Sequence, residues 1–308
     1  MADSEPSPAL LPVSDDESRR LRAAAESAAT GVGDLLRGAF RSAMTATSKR
    51  NHHDLVTEFD RASETRIVES LAAAVPDSRF RGEEGGAHGS GRVEWIIDPV
   101  DGTSNFAHGV AFFCVSIAAV VEDAVVAGVV YDPVAGDLFA ADATGAFRNG
   151  VPLAPAGAEE EHAASVMTDY PSAEAIEVDG GAALDAFAEL VTTYATVRRK
   201  VSGALELAHV AAGWADITLG FDTNPWDVAA GAFIVAQAGG TYVPFRYDDD
   251  ASPAAPGVLG RRAHEAPTYL AHAPGTDAAT ALAAVRRIMD TRRRAGYRGK
   301  DVEPVRSP

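Results

Sequence analysis

Two shortages in this sequence exclude whole classes of protein. Cys114 is the only cysteine, so no intrachain disulfide is possible, and the chain has neither the cysteine pairs nor the His-x-x-x-His spacing that typify zinc sites. Basic residues are also scarce, with 27 lysines and arginines against 44 acidic residues and a formal net charge of -17. A field of that sign repels nucleic acid and anionic membranes, so we expect neither as a partner, and an anionic substrate would need a local positive charge.

Long apolar runs are absent as well. The apolar stretch at residues 112–121 ends at Glu122 and Asp123, well short of the roughly 20 residues needed to span a bilayer. Residues 1–20 are rich in serine, proline and acidic residues, and they lack the basic start and apolar centre of a secretory signal. We therefore expect a cytoplasmic protein.

What the sequence does contain is enough apolar material for a sizeable core. The 308 residues are 46% hydrophobic, which suits one large domain or two moderate ones. Composition predicts a disordered N-terminal tail over residues 1–14 and a basic C-terminal tail over residues 293–308. Helical spacing of apolar residues over 21–40 and 60–76 predicts two long helices at the start of the fold.

The order of the remaining elements predicts two kinds of layering. Short β-rich runs, at residues 93–97, 112–121, 124–131 and 137–140, indicate a mostly antiparallel sheet. Beyond residue 155 the predicted strands (165–168, 195–201, 216–219, 241–245 and 268–273) alternate with helices (184–192, 205–212, 226–238 and 277–292), a pattern typical of α/β layering. We therefore predict a mixed α+β and α/β fold, with an N-terminal α+β subdomain over 15–155 that carries the site and a C-terminal α/β subdomain over 156–292.

The first chemically unusual segment is residues 95–106. Its strand delivers Asp98 and Asp101 into a Gly-Thr turn, and Gly102 permits a close approach of the backbone. A helix that begins near Thr103 would leave its first N–H groups free to hold phosphate oxygens. The segment therefore predicts adjoining metal and anion sites.

The spacing around these two acids excludes two familiar kinds of acidic loop. An EF-hand loop that starts at Asp98 would need further acids where the chain has Val100, Gly102 and Gly109. An aspartyl-phosphate mechanism would need a nucleophilic carboxylate two residues before Asp101, where the chain has Pro99. Ordinary turn acids stay open as an alternative.

Three further acids are weak signals when each is taken alone. Glu83 lies in the glycine-rich run 80–86, where adjacent glutamates are commonly a solvated pair. Asp227 lies at a predicted helix start, and Asp60 lies at another, so helix capping is the alternative for both.

Taken together, these runs resemble the inositol monophosphatase family of lithium-sensitive, metal-dependent phosphatases. Residues 95–108 match its first signature and residues 226–240 its second, and the likeness extends from Lys49 to Gly240. The resemblance implies a layered αβαβα sandwich of the inositol monophosphatase and fructose-1,6-bisphosphatase type. It also implies a homodimer that lithium inhibits.

The resemblance further implies a magnesium-dependent phosphate monoester hydrolase with two Mg²⁺ ions and a third, weaker one. The implied metal ligands are Glu83, Asp98, the backbone carbonyl of Val100, Asp101 and Asp227, with Asp60 beside the third ion. Thr103 and Glu83 would orient and deprotonate the attacking water, and Asp60 would join them in catalysis. Mg²⁺ prefers oxygen ligands, and a metal pair can polarise the phosphoryl group and activate water without a protein nucleophile.

The alcohol side of the substrate is where the chain departs from its relatives. The implied phosphate and substrate contacts are Asp101, Gly102, Thr103, Ser202, Gly203, Gly220 and Asp222. Inositol-specific relatives usually have a glutamate at the position of Gly220, and Asp222 is the candidate to replace its hydroxyl-accepting carboxylate. The run 201–204 also differs from the commoner one.

Several substrates and one different role therefore stay open. The preferred substrate is myo-inositol 1-phosphate, and the alternatives are histidinol phosphate, fructose 1,6-bisphosphate and adenosine 3′,5′-bisphosphate. The two bisphosphates would require basic contacts of the kind that residues 198–200 offer. A non-catalytic regulatory scaffold with the same fold is the alternative from a different class.

Overall fold

The computed structural model describes residues 11–42, 46–48, 55–248 and 255–299. Lys49, with the rest of residues 49–54, and most of both predicted tails lie outside the described residues. Within the described ranges, no helix combines the length and the apolar character that a membrane crossing requires.

The first long helix predicted from apolar periodicity is in fact two helices, α1 (Asp15–Gly31) and α2 (Gly33–Ala39). The other described α-helices are α3 (Glu58–Ala74), α4 (Thr103–Ala107), α5 (Ala173–Asp179), α6 (Gly181–Thr193), α7 (Gly203–Ala211), α8 (Pro225–Gln237) and α9 (Ala279–Arg294). The helix predicted over 21–40 breaks at Val32 because glycines flank that residue, and glycine favours helix poorly. A Cβ atom at Gly33 would also lie 3.0 Å from the Tyr131 ring, so glycine permits close packing of α2.

In the described ranges the strands form two large sheets and one small antiparallel pair, β1 (Ala46–Ser48) with β2 (Leu55–Thr57). The two large sheets are built from β3 (Ser78–Gly82), β4 (Gly86–Gly89), β5 (Val93–Asp101), β6 (Cys114–Val121), β7 (Ala124–Asp132), β8 (Asp137–Asp142), β9 (Gly145–Arg148), β10 (Val151–Pro152), β11 (Ser165–Thr168), β12 (Thr196–Arg199), β13 (Ile217–Phe221), β14 (Thr241–Phe245) and β15 (Thr268–His272). The first sheet has the order β10-β9-β8-β7-β6-β5-β3-β4, and only β3 and β5 pair in parallel. The prediction of a mostly antiparallel sheet is therefore confirmed.

The second sheet has the order β12-β11-β13-β15-β14. Strand β11 runs parallel to β12 and β13, and β15 runs antiparallel to β13 and β14. The first sheet uses strands up to residue 152 and the second uses strands from residue 165. This separation supports our proposal of two subdomains divided near residue 155.

The residues that the structure describes form three buried cores between five layers. The first packs α1, α2 and α3 on one face of the first sheet, which contributes Trp95 and Ile97. The second packs α7 and α8 between the other face of that sheet, which contributes Ile96, and the second sheet, which contributes Tyr242. The third packs α5, α6 and α9 on the remaining face, with Val243. Neighbouring residues of β5 and β14 thus enter different cores, as strand alternation requires, and the αβαβα prediction is confirmed.

The C-terminal helix carries a buried cation. α9 runs to Arg294, past the predicted start of the basic tail at residue 293, and the Arg292 side chain is fully buried. Its Nε and Nη2 each donate to the Asp179 carboxylate at 2.8 Å. Its Nη1 donates to Asp222 at 2.8 Å and to the Tyr247 hydroxyl at 2.9 Å. This network ties α9 to the end of α5 and to the chain that leads into α8.

Candidate metal centre and active site

Three carboxylates meet at the junction of β5 and α8. Oxygens of Asp98, Asp101 and Asp227 all lie within 4.8 Å of one another. Asp98 and Asp101 are only 2% and 7% exposed. Residues 98–101 remain in strand, although the pairing of β5 with β6 shifts register there, next to a proline that has no N–H to donate.

Hydrogen bonds from α7 hold one member of this cluster. The Asp101 Oδ2 atom accepts the Ser202 hydroxyl at 2.6 Å and the Ala204 N–H at 2.8 Å. Asp98 accepts the N–H of Val100 at 3.0 Å. The end of the first sheet is therefore fixed directly to the first turn of α7.

Two acids of the predicted site also take part in helix capping. Asp227 is the third residue of α8 and accepts the N–H of Asn224, the N-cap, at 2.7 Å. Asp60 is likewise the third residue of α3 and accepts the N–H of its N-cap, Thr57, at 2.8 Å. The capping alternative thus holds in part for both acids, which lie within capping boxes rather than at the N-cap itself.

Burial and mutual repulsion make this cluster favourable for a cation. Burial raises the pKa of Asp98 well above its ordinary value, and the charges of Glu83, Asp101 and Asp227 raise it further. Burial also raises the pKa of Asp101 to about 6, against the stabilising hydrogen bonds from Ser202 and Ala204. Closely spaced carboxylates of this kind are stabilised by a divalent cation with oxygen ligands, so the residues fit Mg²⁺.

The cluster opens into a cavity of about 200 Å³. The cavity is lined by Glu83, Asp98, Val100, Asp101, Gly102, Thr103, Ser104, Asp169, Val201, Ser202, Gly203, Glu206, Gly220, Thr223, Asp227 and Tyr269. Among these described residues there is no lysine, arginine or histidine. The positive charge that a phosphate requires would therefore come from metal bound to the carboxylates.

Thr103 lies beside the cluster at the start of α4, where the sequence predicted a helix. Gly102 precedes it with φ at +91°, a left-handed conformation that glycine adopts readily. The Thr103 hydroxyl lies 2.9 Å from Asp60 Oδ1 and 2.9 Å from the Val100 carbonyl oxygen. Asp60 has no exposed surface and is absent from the cavity lining, so the structure places it behind Thr103. A third metal ion beside Asp60 stays a prediction.

The loop that carries Glu83 is held by a residue that the sequence analysis missed. The Glu64 carboxylate on α3 accepts the N–H of Glu84 at 2.9 Å and the N–H of Gly85 at 2.6 Å. The Glu83 N–H donates to the Ile97 carbonyl at 3.1 Å. The sequence does contain a signal for this role. Residue 64 lies at helical spacing from residues 60, 67 and 71, so the charged Glu64 falls on the buried face of α3.

We expect Glu64→Ala to lower kcat by roughly 10- to 100-fold, the usual effect of removing groups that orient metal ligands. The loop would lose both of the carboxylate oxygens that accept its N–H groups, and Glu83 would lose its fixed position. Steady-state kinetics against Mg²⁺ concentration measure the effect, and Glu69→Ala on the exposed face of the same helix is the control. Equal kinetics for the two variants would contradict the role assigned to Glu64.

The alcohol side of the cavity differs from the sequence-based expectation. A Cβ atom at Gly220 would lie 2.7 Å from Tyr269 Cε1 and 3.0 Å from Thr223 Cγ2, so those side chains occupy the space of the missing glutamate. The structure does not bring Asp222 into the cavity, because its carboxylate accepts hydrogen bonds from Arg292 and Tyr247 instead. These contacts disfavour the expected replacement of the glutamate by Asp222, which stays a prediction.

The basic run at residues 198–200 does not line the cavity either. Arg199 donates to the Asp169 carbonyl through Nε at 3.1 Å and Nη2 at 2.9 Å. The Lys200 ammonium lies 4.5 Å from the centre of the Phe112 ring. These contacts disfavour a second phosphate site formed by this run.

Comparisons with known proteins agree with this geometry. A sequence profile of the Inositol monophosphatase family matches residues 17–290. The chain is 39% identical over 224 residues to "Nus factor SuhB" of Pseudomonas aeruginosa, an alignment that covers 71% of this chain and 83% of that protein. It is 38% identical over 226 residues to "Inositol monophosphatase 2" of Solanum lycopersicum, with 69% and 83% covered. The solved inositol monophosphatase of Anabaena has a TM-score of 0.71 at 29% identity, with 88% and 97% covered. The chain therefore belongs to the inositol monophosphatase family.

Proposed function

We propose that this phosphatase-type hydrolase converts myo-inositol 1-phosphate and water into myo-inositol and phosphate, with Mg²⁺ as cofactor. The observation that carries the proposal is the buried cluster of Asp98, Asp101 and Asp227, with Glu83 and Thr103 on the wall of the same cavity. Family membership supports, as parts of the same proposal, a homodimer, inhibition by lithium and a cytoplasmic location.

The residues that would hold Mg²⁺ are Glu83, Asp98, Asp101, Asp227 and the carbonyl of Val100. When bound, the metal would supply the positive charge that polarises the phosphoryl group and acidifies water. In this proposal Thr103 accepts a proton from the attacking water as its own hydroxyl proton is transferred to the carboxylate of Asp60 or Glu83, where the proton then remains. The donors on Asp101 keep that carboxylate in place while the ester is bound.

Two other sets of functions are supported less well. Histidinol phosphate carries one phosphate and fits the same chemistry, whereas the two bisphosphates would bring a second anion to a cavity whose described lining has no basic side chain. The name "Nus factor" of a relative supports a regulatory role as the candidate from another class. A purely regulatory role, however, gives no reason for the complete set of acids around Thr103.

The test is phosphate release from myo-inositol 1-phosphate, histidinol phosphate and the two bisphosphates, each with and without Mg²⁺. We expect the inositol ester to have the highest kcat/KM and chelation to abolish activity. A clear preference for another ester would contradict the substrate, and no Mg²⁺-dependent release from any ester would contradict the enzyme.

Metal binding can be tested separately from turnover. We expect Mg²⁺ to raise the melting temperature of the wild-type protein and to have a much smaller effect on Asp98→Asn, because the variant loses a central charged ligand. Asp185→Asn, at an exposed position on α6, is the control with the same chemical change. An equal Mg²⁺ response in all three proteins would contradict the metal site.

A further inference from the structure

Two carboxylates line the cavity without belonging to the predicted metal ligands. They are Asp169, which follows β11, and Glu206 on α7. Glu206 is only 1% exposed, and burial together with the nearby charge of Asp169 raises its pKa well above the ordinary value. Its Oε2 accepts the Thr218 hydroxyl at 3.2 Å, whereas its buried Oε1 has no hydrogen-bond partner among the described residues.

These two acids lie next to the position of the missing glutamate. Strands β11 and β13 are parallel, with Thr168 opposite Leu219, and the Thr168 hydroxyl donates to the Leu219 carbonyl at 2.8 Å. The residues that follow, Asp169 and Gly220, are therefore neighbours at the carboxyl ends of adjacent strands. Arg199 fixes the Asp169 backbone by its two bonds to the carbonyl.

Glu206 approaches the same position from the helix side. It bonds to Thr218, two residues before Gly220 on β13. Tyr269, opposite Gly220 in the β13–β15 pairing, has its pKa raised by burial and by the nearby charge of Glu206. The cavity wall around Gly220 thus has two carboxylates on neighbouring elements, although position 220 itself has no side chain.

The charge of this wall selects among leaving groups. A buried carboxylate with an unused oxygen is stabilised by a hydrogen-bond donor and is destabilised by a second anion. Hydroxyl and ammonium groups are donors of this kind, and a second phosphate is not.

We propose that Asp169 and Glu206 recognise hydrogen-bond-donor groups, hydroxyl or ammonium, on the leaving alcohol and so replace the acceptor that position 220 lacks. This inference rests on the proposed phosphatase function and names the recognition residues of the same cavity. It assigns to them binding of the alcohol and no part in the cleavage of the ester bond.

The test compares esters with and without donors on the leaving group. Steady-state kinetics are measured with Mg²⁺ for myo-inositol 1-phosphate, for histidinol phosphate, and for p-nitrophenyl phosphate, whose leaving group has no such donor. The variants are Glu206→Gln and Asp169→Asn, and Glu177→Gln at an exposed position on α5 is the control with the same charge change. Thermal melting establishes that each variant is folded, and Asp169→Asn carries the test if Glu206→Gln does not fold.

We expect KM for a donor-bearing ester to rise roughly tenfold or more in both variants, which corresponds to the loss of one hydrogen bond to a charged group. The constants for p-nitrophenyl phosphate and for the control variant should not change. An effect confined to the inositol ester identifies hydroxyl recognition, and one confined to histidinol phosphate identifies ammonium recognition.

Either of two kinetic results would overturn the inference. One is an equal loss for all three esters, and the other is no loss for any of them.

Calorimetric binding of inorganic phosphate with Mg²⁺ gives a readout independent of turnover, and it should be the same in wild type and variants because phosphate carries no alcohol. A parallel loss of phosphate affinity would also overturn the inference. If the wild-type protein hydrolyses none of the esters, it is the proposed function that fails.

Discussion

Thr103→Ala is expected to lower kcat by roughly 10²- to 10⁴-fold, the usual range for the loss of a group that transfers a proton in the transition state. Thr103 is 8% exposed, and its hydroxyl lies 2.9 Å from both Asp60 and the Val100 carbonyl. Alanine removes that hydroxyl and still favours helix at the start of α4. Glu83→Gln should have an effect of similar size, because the amide keeps the shape of the side chain and removes its basicity.

These effects should fall on kcat more than on KM, since the phosphate would still bind at the metal cluster. Rapid-quench and steady-state assays at saturating Mg²⁺ separate the two constants. Thr192→Ala is a suitable control, because it removes an exposed helical hydroxyl that bonds only to carbonyls of its own helix. Near-normal turnover of both Thr103→Ala and Glu83→Gln, with unchanged metal dependence, would contradict the mechanism.

Arg292→Met is expected to reduce the free energy of unfolding by about 3–5 kcal/mol, as is usual when one partner of a buried ion pair is removed. The methionine fills part of the volume, but it leaves Asp179 with a buried, unpaired charge and removes the ion pair of Asp222, which keeps its bond to Tyr247. Urea unfolding followed by circular dichroism measures the change. Because Asp222 lies in the chain that leads to α8, we also expect a weaker response to Mg²⁺.

A matched control lies on the same helix. Arg287 pairs with Glu189 at the surface, and exposed pairs of this kind contribute at most about 1 kcal/mol. Arg287→Met should therefore have little effect, and Asp179→Asn added to Arg292→Met should restore part of the lost stability. If the two arginine variants unfold at the same urea concentration, the buried network does not stabilise the fold as argued.

Local patterns predicted much of this architecture. Residues 165–168 and 241–245 are strands with the predicted bounds. They could be predicted because apolar runs of this length between turn residues are too short for helices. Helix α5 was not predicted, since its Ile176 and Val178 are exposed and do not follow the spacing of a buried helical face. The extension of β5 to Asp101 was missed because the pairing continues across a proline.

In the candidate site, too, the sequence predicted the features that depend on local motifs and missed those that depend on tertiary packing. The signatures contain Asp98, Asp101 and Asp227, which the structure brings into one cluster, because motif spacing reflects the positions of strand ends and helix starts. Asp169 and Glu206 could not be assigned from the sequence in this way, and helical spacing indicates only that Glu64 lies on the buried face of α3. Each is a charged residue whose role depends on what packs over it, and only the assembled layers show that.

The carboxylate cluster joins parts of the chain that belong to different layers of the fold. Asp98 and Asp101 belong to the first sheet, whereas Asp227 lies on α8, between the two sheets, and Asp101 is bonded to the start of α7. The site is therefore complete only when α7 and α8 are packed against the first sheet. Recovery of Mg²⁺ affinity during refolding would then report this packing, and an intermediate with only the first sheet formed would be catalytically silent.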